Sequence, residues 1–326
     1  MKKVILFLFA ALLATVSVDA QQIAVVAKDG VTTTLYETLK EAIEGASAES
    51  VVYLPGGSFT ISDEVKINKR LHIIGIGHNA ASDNVDGRTH IAGNLFFVSG
   101  SDWSSVMGCY INGSVNIGSS TEPVHHITVR YCNINGVQVN HNECIGTVIN
   151  QNLIRGGSDC HNAAVDFLNN ILPHMYRVRG GRIMYNVTTT YATYGTGYFQ
   201  TFNQCSDCII EGNVILDASY IHSGSNCQVT GNMRKGGTWG SDPCDIGSSD
   251  WGDVFENNAG ISVNSNYHFK EAFKNFEGKV GIYGGSGFTK TNLPPVPYIF
   301  MKSVPDKTDA TGKLHINIAV KAGTSE

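Results

Sequence analysis

Between residues 127 and 235 apolar and polar positions alternate in short runs, and each run closes on an asparagine followed at once by an apolar residue. The runs ITVRYCNING, GTVINQNLIRG, AVDFLNNILPH, GGRIMYNVTT, CIIEGNVIL and CQVTGNMRKG share this shape. Alternation with a period of two marks strands whose two faces meet different surroundings. Taking Asn133, Asn152, Asn170, Asn186, Asn213 and Asn232 as equivalent gives steps of 19, 18, 16, 27 and 19 residues. A nearly constant step with insertions is what stacked coils of strand and turn require, because each coil buries its apolar positions against the next. The pattern therefore predicts an all-β solenoid, a parallel β-helix. Its repeated asparagines are expected to be structural, hydrogen-bonding along an internal ladder and supplying the left-handed backbone of a sharp turn.

Upstream, the period changes. TLYETLKEAIEGA sets Leu35, Leu39, Ala42, Ile43 and Ala46 on one stripe and Glu37, Lys40, Glu41 and Glu44 on the other side, which predicts one short amphipathic helix. The strand signals SVVYLPGGSFTIS and EVKINKRLHIIGIG follow. Val51, Tyr53, Leu54, Pro55, Gly56, Gly57 and Phe59, with LHIIGIG at 71 to 77, resemble the opening of pectate-lyase-like right-handed β-helix proteins. That resemblance implies a single-stranded right-handed parallel β-helix over 21–290, with the helix capping an otherwise bare sheet edge. It reaches the fold and stops there. The segments diagnostic of polygalacturonase-like hydrolases, and those of the calcium pectate lyases, are absent.

The two ends depart from the repeat. Lys2 and Lys3 precede an uncharged apolar run from Val4 to Val18, with Val18 and Ala20 placed as in a small-residue cleavage site, so 1–20 are expected to be a signal peptide. Export then implies a secreted, periplasmic or cell-surface protein with no membrane-spanning segment. Residues 291–326 are expected to be a proline-rich tail ending in one strand, KLHINIAVKA. Charged residues make up only 16% of the chain and glycine 36 of 326 positions, which favours turns over solvated helices. A net charge of -5 argues against a nucleic-acid partner held by a general positive field.

Eight cysteines follow the repeat rather than a compact disulfide framework. Cys208 and Cys227 each lie five residues before their asparagine, and Cys144 and Cys205 each lie eight before theirs. Stacked free thiols are expected, with a Cys208–Cys227 bond as the alternative. CSDC at 205 to 208 stands alone, so a structural zinc site is not indicated.

Candidate chemistry concentrates between Asp159 and Tyr198. There, His161, His174, Arg177, Arg179 and Arg182 bring possible bases and anion-binding forks, while Tyr176, Tyr185, Tyr191, Tyr194 and Tyr198 offer flat faces to sugars. Arg155 and Lys235 each follow their asparagine by three residues and are expected on the same face. A basic, aromatic face on an acidic protein suits an acidic polysaccharide. A lyase acting by β-elimination would use Arg177 or Arg179 to neutralise a uronate, His174 or Tyr176 as base and Tyr191 or Tyr194 as acid. Arg155, Arg182, Tyr191, Tyr198 and Lys235 would bind substrate. The acid-rich segment at 241 to 256 offers Asp242, Asp245, Asp250 and Asp253 as Ca²⁺ ligands, or as a solvated loop. The competing functional class is a non-catalytic structural or glycan-binding β-helix protein.

Overall fold

A computed structural model describes residues 22–61, 64–79, 87–189, 201–216, 222–234, 244–245, 250–258, 260–262, 264–288, 298–303, 307–309 and 311–321. Strand outweighs helix by 44% to 7%, which places the chain among all-β proteins, and most of the pairing is parallel. Among the described residues, two large sheets carry the architecture, one of eleven strands and one of sixteen.

The first sheet runs in chain order through Ser50–Leu54, Leu71–Gly75, Ser105–Met107, Thr128–Arg130, Thr147–Asn150, Val165–Leu168, Arg182–Met184, Ile209–Glu211 and Gln228–Thr230. Each of these strands pairs in parallel with the next, so that Val52, Ile73, Val106, Val129, Ile149, Phe167, Ile183, Ile210 and Val229 form one continuous apolar ladder. All but Val229 are fully buried in the main core. Each such side chain contributes about 1.5–3 kcal/mol by leaving water.

The second sheet contains two files of strands, joined where Tyr110–Ile117 and Asn133–Val139 are long enough to pair in both. One file continues through Leu153–Ile154, Ile171–Leu172, Val187–Thr188, Val214–Ile215, Met233–Arg234 and Cys244–Asp245. The other continues through Ser158–Ala163, Met175–Val178, Phe202–Asn203 and His222–Ser223. This pairing is compatible with a β-helix. At the N-terminal end a helix forms at Leu39–Gly45, capped by Thr38 and Glu41 in a reciprocal capping box, and it buries Leu39, Ala42 and Ile43, whereas Leu35, expected on the same stripe, lies in the strand Thr33–Tyr36 and is exposed.

The asparagine ladder exists with one change of register. Asn152, Asn170, Asn186, Asn213 and Asn232 are wholly buried, and each side-chain oxygen from Asn170 onward accepts both the N–H and the side-chain amide of the preceding rung at 2.9–3.1 Å. Each side-chain nitrogen also donates to a backbone carbonyl one coil back, as from Asn213 to Ile183 at 2.8 Å. Asn133 is not a rung. Cys132 occupies that place, its N–H donating to Asn152 Oδ1 at 2.9 Å, and Asn133 pairs with Leu153 on the next position. The left-handed conformation is also displaced by one residue from the expectation. It falls on the residue before each rung, at Tyr131, Gln151, Asn169, Tyr185, Gly212 and Gly231, where the chain bends from the first sheet into the second.

The apolar residue after each of the five rung asparagines points away from the main core. Leu153, Ile171, Val187, Val214 and Met233 form a second apolar cluster with Val254, Phe255, Tyr267, Phe269, Val280 and Ile282. Residues 250–288 therefore lie over this file as a cover built from a helix at Trp251–Val254, an antiparallel pair Phe255–Asn257 with Asn266–Phe269, and a 3-10 helix at Glu271–Phe276. Asn169 pins the cover, its side-chain amide donating to the carbonyls of Ile282 at 2.9 Å and Gly284 at 2.7 Å. Further on, Tyr298–Ser303 pairs antiparallel with Asn317–Lys321.

The cysteines Cys109, Cys132, Cys144, Cys160, Cys205, Cys208 and Cys227 are free thiols. Burial pushes Cys132 and Cys208 up to about 12. Among the described residues no helix is long and apolar enough to cross a membrane.

Candidate functional site

Alternation in the second file sends every other side chain to solvent, and the register stacks them. Lys66, Phe96, Asn116, Gln138, Asp159, Tyr176 and Asn203 occupy one outward stripe on seven successive strands. Lys66 is exposed and the other six are half-buried.

Beside the stripe the backbone turns left-handed at His161 (φ 45°) and Arg177 (φ 55°). Arg177 grips Asp159 with both prongs, Nε to Oδ1 at 2.9 Å and Nη2 to Oδ2 at 2.5 Å. His161 stands 3.3 Å from the same Nη2. The guanidinium carbon also lies 4.6 Å from the centroid of the Tyr176 ring. Donating hydrogen bonds to the Asp159 carboxylate holds Arg177 more firmly cationic than an ordinary arginine. His174 packs against Gly157, where a β-carbon would come within 2.5 Å of the imidazole and the φ of 85° disfavours a side chain in any case. Burial lowers the His174 pKa against the opposing pull of Asp159, leaving a neutral imidazole at pH 7.

The predicted residues separate into four places. His174, Tyr176 and Arg177 come together with Asp159 on the stripe. Arg179 sits on the following bend, exposed, with Nε 3.3 Å from Asp207. Arg182 belongs to the first sheet, where its backbone N–H donates to Asp166 Oδ1 at 2.9 Å and its guanidinium to Oδ2 at 3.0 and 2.6 Å. Arg155 reaches back along the second sheet to the Tyr110 hydroxyl and to the carbonyl of Ile111 at 2.8 Å. Tyr191, Tyr194, Tyr198, Lys235 and Asp242 lie outside the described residues. Asp245 is placed only by its strand, opposite Arg234. Asp250 occupies the N-cap position of the helix Trp251–Val254 with no side-chain capping bond, and Asp253 is exposed in its first turn. No group of three His, Cys, Asp or Glu side chains able to hold a metal occurs among the described residues.

Reading the sequence by segment missed Asn116, Gln138 and Asn203, because single amides announce nothing until the register stacks them. Chemically, the stripe offers amides, a carboxylate and an aromatic face in a row, the groups that bind sugar hydroxyls and ring faces. With both prongs on Asp159, Arg177 would have to release that carboxylate before gripping another. No family model, curated protein or solved structure matches the chain.

Proposed function

We propose that this chain is an exported single-stranded right-handed parallel β-helix, secreted, periplasmic or at the cell surface, that binds an acidic polysaccharide along the outward stripe of its second sheet. Handedness follows from the strong preference of parallel crossovers for the right-handed form. The observation that carries the binding reading is the register itself. An elongated ligand lying along the column would meet a new polar or aromatic side chain about every 4.8 Å. The test is affinity for a panel of oligosaccharides. Replacing Tyr176 and Asn203 together by Ala should weaken binding about 10-fold, the scale of one lost stacking or charge-assisted contact. Replacing Thr128, on the outer face of the first sheet, should leave it unchanged. Equal losses at both places, or no binding to any member of the panel, would refute the reading.

One observation favours a second reading, β-elimination: His174 is held neutral, the state a general base requires, beside Tyr176. Incubation with polyuronates and measurement of ultraviolet absorbance from unsaturated products decides it. Absence of such products leaves binding as the function.

A further inference from the structure

The covered file of the second sheet changes character partway along. From Leu153 onward its outward residues are apolar and lie under residues 250–288. Before Leu153, the same register line reads Ser58, His90, Tyr110 and Asn133, all exposed or half-buried.

Two arginines converge on the middle of this polar part. The guanidinium carbons of Arg88 and Arg155 lie 4.2 and 4.6 Å from the centroid of the one Tyr110 ring. His90 meets that ring edge-on at 5.0 Å. Among the described residues neither arginine has a carboxylate partner, in contrast to Arg177, Arg179 and Arg182. Arg155 spends donors on the Tyr110 hydroxyl and two carbonyls, and among the described residues the Arg88 guanidinium makes no hydrogen bond.

Two polar atoms flanking Tyr110 are withdrawn from solvent with no partner among the described residues, His90 Nε2 and Asn133 Oδ1. The other ring nitrogen of His90 is occupied by Ser58 Oγ at 3.2 Å. Burial, then Arg88 and Arg155, lower the His90 pKa, so this imidazole adds no charge at pH 7. The cluster thus combines two uncompensated guanidiniums with a neutral imidazole nitrogen and an amide oxygen that lacks a donor. An arginine pair without a carboxylate is matched by an oxyanion, and an orphaned amide oxygen is matched by a hydroxyl. Both groups occur on one acidic sugar.

We infer that Arg88, Arg155, His90 and Asn133 around Tyr110 form a subsite for an anionic sugar residue, its carboxylate or sulfate facing the two arginines and a hydroxyl donating to Asn133 Oδ1. This rests on the polysaccharide reading above and specifies where the charge preference originates.

Calorimetric titration with a uronate oligosaccharide, a sulfated one, and the uronate chain after reduction of its carboxyls to alcohols tests the inference. Wild type should prefer at least one charged chain over the neutral chain about 10-fold. Replacing Arg88 and Arg155 together by Gln should abolish that preference while sparing the neutral chain. Because Arg155 also holds two backbone carbonyls, Arg88→Gln alone serves as the variant that disturbs no hydrogen bond among the described residues, and it should reduce the preference about threefold. An unchanged preference in Arg88→Gln, or a wild type that binds charged and neutral chains equally well, overturns the subsite. Loss of all glycan binding in the Tyr176 and Asn203 variant, with no change in Arg88→Gln, overturns the subsite and leaves the stripe standing. If no glycan binds wild type, the stripe fails, and inorganic sulfate decides the subsite. A shift of the His90 ring resonances with sulfate, absent in Arg88→Gln, supports it; no shift overturns it.

Discussion

Deleting one rung of the asparagine ladder is the sharpest test of what holds the column together. In Asn213→Ala the lost oxygen strands the buried N–H and side-chain amide of Asn186, which it accepts at 2.9 Å each. The lost side-chain nitrogen also takes one bond from the carbonyl of Ile183, 2.8 Å away, which stays in the strand ladder with Ile209–Glu211. Asn186 retains its other donor contact to Phe167, and Asn232 Oδ1 retains the N–H of residue 213. One backbone donor is therefore left buried without a partner, costing about 1–3 kcal/mol, and one carbonyl loses a hydrogen bond worth about 0.5–1.5 kcal/mol. The expected loss is about 2–4 kcal/mol, a fall of roughly 1 M or more in the urea midpoint at typical slopes. Asn133→Ala is the matched control, one residue off the ladder with a side-chain oxygen already unpartnered among the described residues, and it should cost less than about 0.5 kcal/mol. Urea titrations followed by circular dichroism, with unchanged slopes, give both numbers. Equal costs at 133 and 213 would show that the ladder stabilises nothing beyond ordinary packing.

Further outcomes follow from the buried groups. His174 has a folded pKa below its ordinary value of 6.5, mainly from burial, so the unfolded chain takes up its proton first. Its contribution is complete above 6.5 and is lost as pH falls through that value, and His174→Gln should flatten stability between pH 7 and 5; an identical slope in both proteins refutes this. Native-state labelling with a thiol reagent at pH 8, mapped by mass spectrometry, should modify half-buried Cys227 well before Cys109 or Cys132, since burial keeps those thiols protonated. Asn169→Gly keeps the left-handed turn at φ 54° but removes the amide that pins the cover. Limited proteolysis should then cut within 280–288 sooner than in wild type, and equal cleavage rates would count against the pin.

Much of the architecture was legible because it is written in short-range order. Alternation and the step between asparagines identify the strands, the turns and five of the six rungs. The sixth was misplaced because Asn133 followed by Ile134 imitates the motif, while the rung is carried by Cys132, whose backbone N–H makes the same bond to Asn152. The apolar residues after the asparagines read locally as core. Only contacts distant in sequence, such as Asn169 with Ile282, reveal that they lie under a separate cover. The site was less legible for the same reason. Arg177 looked like a free anion fork until the register set Asp159 beside it, and the Arg88, Tyr110 and Arg155 cluster joins residues from three coils with no motif between them.

The cover alters how the column would fail under load. A stack whose coils touch only their neighbours peels from its end, one weak step after another. Here residues 250–288 clasp five successive coils at once, with Trp251 Nε1 donating to Leu216 at 2.8 Å and the Gly281 N–H to Gly212 at 2.7 Å. Pulled along its axis, that half should hold to a high force and then give way in a single rupture, while the unclasped half beyond it unravels as a staircase.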